Sequence, residues 1–381
     1  MRKPTRSHCC APALNSLLTR KGTQMDRLTT NFAGTLFGLH GEPAHERIVV
    51  ANDAESGLQA VIAVYSTARG PAFGGCRYWQ YASDYEAYHD ALRLSQGMAF
   101  KNALAGLPFG GGKAVILKRP EQMDRTAMFE AFGRLVQSMG GVYLTAEDVG
   151  TTADDMRAVQ SETSFVSGIP RENDVYGGNP SPRTAYGVFV GLKAAVQVAL
   201  GRDTLDGVSV AVQGLGSVGW DLCERLHRAG AELIVSDIDI AKTERAQQMF
   251  GAQVADTARI AGVNADVFAP CALGGSITEA VAANCQFKVI AGGANNQLMS
   301  LVEGDMLHKR GIFYAPDFLV NAGGIISCVR EYLGSADKQS VLDEVAQIGP
   351  RVFELAERVK ATGVAPARAA VVWAREQMKA Q

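Results

Sequence analysis

At about 150 residues per domain, 381 residues are enough for two or three domains, and 47% hydrophobic with 20% charged residues is an ordinary globular composition with material for a sizeable core. Thirty-seven basic residues against 39 acidic ones leave a formal net charge of -2, so there is no broad positive field to hold nucleic acid or an anionic membrane. Apolar runs such as 114–117 and 233–235 are of strand length and fall far short of the ~20 residues that span a bilayer.

Residues 1–25 carry Arg2, Lys3, Arg6, Arg20 and Lys21 but no acid; the first is Asp26. Pro12 and Asn15 interrupt the apolar stretch of this segment, which suits a secretory signal poorly. It reads as a disordered extension, with an upstream start before Met25 or an organelle transit peptide as the other readings. The seven cysteines, Cys9, Cys10, Cys76, Cys223, Cys271, Cys285 and Cys328, are scattered and form no C-x-x-C pair. That argues against a disulfide framework or structural zinc and for a reducing cytoplasm.

From Ile48 onward, short β-branched runs alternate with longer helical ones, the pattern of an α/β protein. Residues 46–64 predict two strands around a turn at 52–57. Ser83 is placed to cap a helix whose Ala87, Ala91, Leu94 and Met98 share one face. Lys101, three residues further, leaves an ammonium at the end of that apolar stripe, a costly position unless it is used or paired. The stretch 106–113, Gly-Leu-Pro-Phe-Gly-Gly-Gly-Lys, predicts a loop before a strand at 114–117. It is no phosphate-binding P-loop, which would need Gly at Leu107 and Ser or Thr at Ala114. Its glycines instead allow close backbone approach and set Lys113 at a strand entrance. A strand at 142–145 ends shortly before Asp148, in the region where open α/β sheets bind ligands.

A strand at 208–212, the loop 213–219, a helix to about Ala229 and a strand at 232–236 form a dinucleotide-binding unit. Gly214, Gly216 and Gly219 follow a strand and open a helix, and Asp237 lies about 20 residues on. Gly214 permits the turn, Gly216 lets a pyrophosphate reach the helix N-terminus, and Gly219 lets helix and strand touch. Asp237 would accept hydrogen bonds from the adenosine ribose hydroxyls and repel a 2′-phosphate, which predicts NAD over NADP; Arg245 falls on the next helix. Strands at 265–270, 287–291 and 312–316 follow. Each ends in a loop of small or amide-bearing residues, at 271–275, 292–297 and 321–324.

Gly74-Gly75, Gly97-Met-Ala-Phe-Lys-Asn102, 106–113, 146–152, Asn179-Pro-Ser-Pro182, the dinucleotide loop, 291–297 and 321–324 together form a specific set. Through them the chain, from about Met25 to Leu333, resembles the glutamate/leucine/phenylalanine/valine dehydrogenase family. The wording is most like the leucine-acting branch, and 315–318 is also like the phenylalanine-acting one. The resemblance implies two α/β domains with a cleft between them: a catalytic and oligomerisation domain at 26–170 and a Rossmann-type NAD-binding domain at 171–333. Helices at 334–381 would pack back on the first domain, and the assembly would be a homo-oligomer, hexameric or octameric.

The activity implied is reversible oxidative deamination of an L-amino acid to a 2-oxo acid and ammonia, with NAD as oxidant. On that chemistry Lys101 would hold the substrate carboxylate, helped by the N–H groups of Gly74 and Gly75. Lys113, desolvated near another cation, is expected to have a lowered pKa and to activate, as a neutral amine, the water that attacks the imine. Asp148 would exchange protons with the substrate nitrogen, and Asn295 and Asn296 would orient the nicotinamide. Thr184, Leu215, Ser217, Val218 and Ala272 complete the expected cofactor contacts.

The side-chain pocket maps by resemblance to Phe73, Met98, Ala146, Ser167, Ile325 and Cys328. No cation lies among them, which disfavours glutamate. Ala146 and Ile325 narrow the pocket, favouring leucine, valine and isoleucine over phenylalanine, while Phe73 would either stack on a ring or shrink the space. Cys76 stands where the family often has Thr, so no hydroxyl chemistry is assigned there; Cys271 reads as a small packed residue, not an acyl-forming nucleophile. Two readings from other classes stand beside this one. A non-catalytic NAD-binding protein would have no use for Lys113 and Asp148. Simple hydride transfer from another 2-substituted acid would want a His base, and none of the six His lies in these loops.

Overall fold

The computed structural model describes residues 34–120, 124–169, 178–334 and 337–379; the expectations for 1–25 lie outside them. The chain divides into a unit ending at Ala44 and a second unit, His45–Gln381. The described part of the first holds a small antiparallel ladder, β1 (Gly34–Thr35) with β2 (Gly38–Leu39). Everything below concerns the second, which contains two α/β domains, each built on one sheet.

The first sheet comprises β3 (Arg47–Asp53), β4 (Leu58–Ser66), β5 (Ala72–Phe73), β6 (Cys76–Trp79), β7 (Gly110–Leu117) and β8 (Tyr143–Leu144). They run in the order β3-β4-β7-β5-β8, with β6 also paired to β7. The β3–β4 hairpin closes where the Asp53 carboxylate accepts from Glu55 N–H and the Ser56 hydroxyl, and Gly57 takes φ 72°. β4 is buried on both faces because Ala60, Ile62 and Val64 pack on α2 (Arg125–Ser138) while Tyr65 packs on the side of α1 (Asp84–Leu104). Ser83 caps α1 as expected, accepting from Glu86 N–H. A further helix, α3 (Ala153–Gln160), packs against α2.

The glycine run is not a loop. Gly110, Gly111 and Gly112 are the first three residues of β7, so Lys113 sits within the sheet and not at its entrance. The reason is close packing: a Cβ on Gly111 would lie 2.2 Å from the Ala99 backbone nitrogen in α1, and one on Gly112 2.7 Å from the Tyr143 ring. A side chain at Gly111 would push the helix off the strand, and one at Gly112 would strike the Tyr143 ring.

The second sheet is parallel throughout: β9 (Ser209–Gln213), β10 (Glu232–Ser236), β11 (Gln253–Val254), β12 (Val267–Pro270), β13 (Val289–Ile290) and β14 (Phe313–Tyr314), in the order β11-β10-β9-β12-β13-β14. In order of appearance this is 3-2-1-4-5-6, the doubly wound dinucleotide-binding arrangement, whose direction reverses between its first and fourth strands. Helices α4 (Ser181–Leu200), α5 (Ser217–Arg228), α6 (Ile240–Phe250), α7 (Glu279–Asn284), α8 (Leu301–Lys309), α9 (Asp317–Val320) and α10 (Gly323–Leu333) accompany it. The chain then continues through α11 (Lys338–Ala346), α12 (Ile348–Thr362) and α13 (Pro366–Lys379). α13 lies along α1, Arg69 Nη1 donates to Gln377 O at 2.7 Å, and Arg351 Nη2 donates to Ala105 O at 3.0 Å. These contacts return the C-terminal helices to the first domain.

Candidate active site

A cleft of about 410 Å³ lies between the two sheets' loops. One wall carries Gly75, Arg77, Met98, Lys101, Lys113, Ala146 and Asp148; the other carries Thr184, Gly216, Ser217, Val218, Ala272, Asn295, Ile325 and Cys328. Local backbone geometry builds the first wall. β7 pairs with β5 up to Phe73↔Gly111 and with β6 from Cys76↔Ala114, so Gly112 and Lys113 stand opposite the break at Gly74 and Gly75. A Cβ on Gly74 would strike Gly112 O at 1.9 Å, and one on Gly75 would reach the Asp148 side chain at 2.9 Å. Strand alternation puts Lys113 on the α1 side, since Ala114 and Ile116 face α2.

The Lys113 ammonium meets Asp148 Oδ2 at 2.9 Å, and Arg77 Nε reaches the same oxygen at 3.2 Å. The Asp148 loop is pinned by Thr151, whose hydroxyl accepts from Asp148 N–H and donates to Asp148 O. Burial pushes the Asp148 carboxyl up, but the Lys113 and Arg77 cations outweigh it and hold the group below the usual carboxylate range. Burial lowers the Lys101 amine to about 8, with Lys113 acting in the same sense and Asp317 and Asp148 opposing.

Lys101 Nζ donates to Asn295 Oδ1 at 3.0 Å, and Asn321 Nδ2 donates to that same oxygen at 3.0 Å. Asn296 is the one non-glycine residue with positive φ, 51°, among the described residues. Its N–H donates to Asp317 Oδ2 at 2.7 Å, and the Tyr314 hydroxyl donates to Asp317 Oδ1 at 3.1 Å. Burial raises the Asp317 carboxyl, with Lys101 opposing.

In the dinucleotide loop Gly214 takes φ 94°, and a Cβ there would lie 2.9 Å from Ala272 N. A Cβ on Gly219 would lie 1.9 Å from Gly214 O, whereas one on Gly216 would meet nothing within 4 Å. No side chain caps the N-terminus of α5. Asp237, just past β10, accepts from Leu215 N–H at 2.6 Å and Asp239 N–H at 2.8 Å. Arg245 is on α6 and lays its guanidinium over the Trp220 ring at 4.5 Å.

Several expected residues stand back from the cleft surface. Gly74, Gly214, Leu215 and Gly219 shape the walls, Asp237 lies at the far end of the loop, and Asn296 turns toward a neighbouring cavity. Ser167 is buried behind Cys328, donating to its carbonyl at 2.9 Å. Phe73 is fully buried and packs edge-on to Phe109 and Tyr332 with centroids at 5.3 Å and 6.0 Å, so it does not wall the pocket. Sequence reasoning missed Arg77 and Asp317. Arg77 had a usable signal, two residues beyond Gly75 and hence on its face of a strand; Asp317 had none short of the fold.

A 3-2-1-4-5-6 parallel sheet with a glycine turn, facing a second domain that offers buried amines and a carboxylate, defines a two-domain dehydrogenase fold. The family model described as Glu/Leu/Phe/Val dehydrogenase, dimerisation domain, matches residues 45–165, and that of Glutamate/Leucine/Phenylalanine/Valine dehydrogenase matches 235–378. The leucine dehydrogenase of Geobacillus stearothermophilus is 49% identical over 319 residues, 82% of this chain and 86% of that one. The phenylalanine dehydrogenase of Bacillus thermotolerans is 40% identical over 354 residues, 91% of each. Among solved structures, L-tryptophan dehydrogenase from Nostoc punctiforme aligns with a TM-score of 0.72 at 39% identity, covering 88% of this chain and 96% of that one. The chain belongs to the Glu/Leu/Phe/Val dehydrogenase family of amino-acid dehydrogenases.

Proposed function

We propose that this protein catalyses the reversible, NAD-dependent oxidative deamination of branched-chain L-amino acids, leucine foremost with valine and isoleucine, to 2-oxo acids and ammonia. The observation that carries the reading is the convergence of Lys101, Lys113 and Asp148 on one wall of a cleft whose other wall is the dinucleotide loop. Lys101 holds the substrate carboxylate as a point charge, leaving Asn295 when the substrate arrives. Asp148 takes a proton from the substrate ammonium, so that the nitrogen lone pair can support loss of hydride from the α-carbon. Lys113, in contact with Asp148, exchanges the proton of the water that attacks the imine carbon. Both groups are then in place to pass protons to departing ammonia. Closing the cleft excludes bulk water from these exchanges.

The residues present fit a dinucleotide: the open space before Gly216 and the uncapped start of α5 suit a pyrophosphate. NAD supplies the hydride acceptor. Thr184, Gly214, Leu215, Gly216, Ser217, Val218, Gly219 and Ala272 would hold it, Asp237 would take the ribose hydroxyls, and Asn295 and Asn296 would set the nicotinamide. Asp237 opposes a 2′-phosphate, and Arg245 is turned onto Trp220, which supports NAD over NADP.

Met98, Ala146, Ile325 and Cys328 supply an apolar side-chain pocket, where a distal carboxylate would be unpaired. Phe73 is packed away against Phe109 and Tyr332, so it neither stacks on a substrate ring nor shrinks the space; phenylalanine is the second reading. Domain limits of 26–170, 171–333 and 334–381, a cytoplasmic setting and a homo-oligomer of six or eight chains complete the proposal. The edge strand β3 shows Val50 69% exposed, as an intersubunit contact would need.

The test is NADH consumption with 4-methyl-2-oxopentanoate, 3-methyl-2-oxobutanoate, phenylpyruvate and 2-oxoglutarate, each with and without ammonium. The highest kcat/KM is expected for 4-methyl-2-oxopentanoate, with strict ammonium dependence. Turnover without ammonium would reject the amination chemistry.

A further inference from the structure

Among the described residues, Asp148 is gripped through one oxygen. Lys113 Nζ and Arg77 Nε both bind Oδ2, at 2.9 Å and 3.2 Å, which leaves Oδ1 for a substrate nitrogen. The other edge of the Arg77 guanidinium, Nη1, binds Asp90 Oδ2 at 2.8 Å, and that oxygen also accepts the Tyr81 hydroxyl at 2.6 Å. A continuous line Lys113–Asp148–Arg77–Asp90–Tyr81 thus leads from the cleft into α1. Arg77 borders both the active cleft and a second cavity of about 340 Å³ lined by Tyr81, Tyr85, His89, Asp90 and Arg93, so it forms part of the partition between them. Only a planar fork can present Nε to one carboxylate and Nη1 to another; a lysine would reach one of them.

We propose that Arg77 is a positioning residue that fixes the oxygen by which Asp148 is anchored and keeps Asp148 ionised for proton exchange, and that Asp90 and Tyr81 hold Arg77 in that pose from outside the cleft. This rests on the deamination reading above. The groups facing Asp148 are Lys113 from β7, Arg77 from β6, Lys101 from α1, the adjacent Glu147, and Cys76 and Tyr143, whose ionisation burial disfavours. His89 and Arg93 flank Asp90. Of the two cations on Oδ2, Arg77 is the one whose charge is divided with a second carboxylate. Removing it leaves burial less opposed, so Asp148 takes up a proton at a higher pH. Removing the Asp90 charge loosens Arg77 without subtracting a cation from Asp148.

The experiment is the pH profile of kcat/KM for leucine deamination, with NADH affinity by fluorescence as a check of folding. Arg77→Gln is expected to move the acid limb upward, into the ordinary carboxylate range, because burial is then opposed by one cation in place of two, and Arg77→Lys to restore its position in part while kcat remains low. Asp90→Asn and Tyr81→Phe are expected to lower kcat without an upward move of the limb. If Arg77→Gln does not bind NADH, Arg77→Lys and Asp90→Asn carry the test by the same criteria. Variants that bind NADH and lose rate equally at every pH, with the limb unmoved, would make Arg77 merely structural and overturn the proposal; so would unchanged kcat. A wild-type chain without ammonium-dependent turnover sinks the deamination reading itself, an outcome distinct from a normal wild type with an unmoved variant limb.

Discussion

Lys101 and Asn295 are hydrogen-bonded at 3.0 Å, linking helix α1 to the loop that follows β13. The group proposed to hold substrate thus touches the group proposed to orient the cofactor. Substrate carboxylate must displace this bond, and its strength depends on the charge of Lys101.

That dependence has a direction. Lys101 sits at about 8 because burial opposes its charge, so the unliganded site carries the ammonium below that pH and loses it as pH rises through it. The dissociation constant of an unreactive carboxylate, such as 2-hydroxy-4-methylpentanoate, is expected to be flat from pH 6 to 7 and to rise above about 8 by up to roughly tenfold per pH unit. Lys101→Met should bind weakly at every pH with a flat profile. Calorimetric titration checks both; a wild-type constant that does not change between pH 7 and 10 contradicts the assignment.

The glycines of the dinucleotide loop differ in what surrounds them, and alanine should separate their roles. At Gly219 the added carbon lies 1.9 Å from a backbone oxygen, so the turn must move, at a cost of about 1–3 kcal/mol. Gly219→Ala is expected to melt several degrees lower and to weaken NADH binding. At Gly216 the carbon meets open space, so Gly216→Ala should melt within about a degree of wild type while still losing NADH affinity, because the space it fills is the cofactor's. Equal melting losses for both would mean the loop is not organised as described.

Asp237→Asn keeps an oxygen for Leu215 N–H but removes the charge facing a 2′-phosphate. The ratio of kcat/KM with NAD to that with NADP should fall by about tenfold or more, the effect of roughly 1.4 kcal/mol of lost repulsion. An unchanged ratio places the source of cofactor preference elsewhere.

Ile325 lines the side-chain pocket. Shortening it should favour a larger substrate side chain, and a methylene in an apolar pocket is worth about 1–3 kcal/mol. Ile325→Ala is expected to raise the phenylalanine-to-leucine ratio of kcat/KM by about tenfold or more. Steady-state kinetics with both amino acids decide it; a ratio that does not rise removes Ile325 from the specificity wall.

The parallel sheet, the glycine turn, the capped helix with Lys101 at its end and the strand–loop rhythm could all be read from the residues in order. Each follows from neighbours a few positions apart: turn conformations, side-chain periodicity, a hydroxyl within reach of its own helix start. The same local reading went astray at Gly110, Gly111 and Gly112, taken as loop, when their small size serves close packing within the strand's surroundings: the Ser66 backbone at Gly110, helix α1 at Ala99 against Gly111, and the Tyr143 ring against Gly112. It also put Phe73 in the pocket, although Phe109 and Tyr332 claim that ring from segments far along the chain. Which carboxylates share the Arg77 guanidinium depended on Asp148 and Asp90 arriving beside it from 71 and 13 residues away. Electrostatic energies vary with distance and desolvation, and neither quantity exists until the chain has packed.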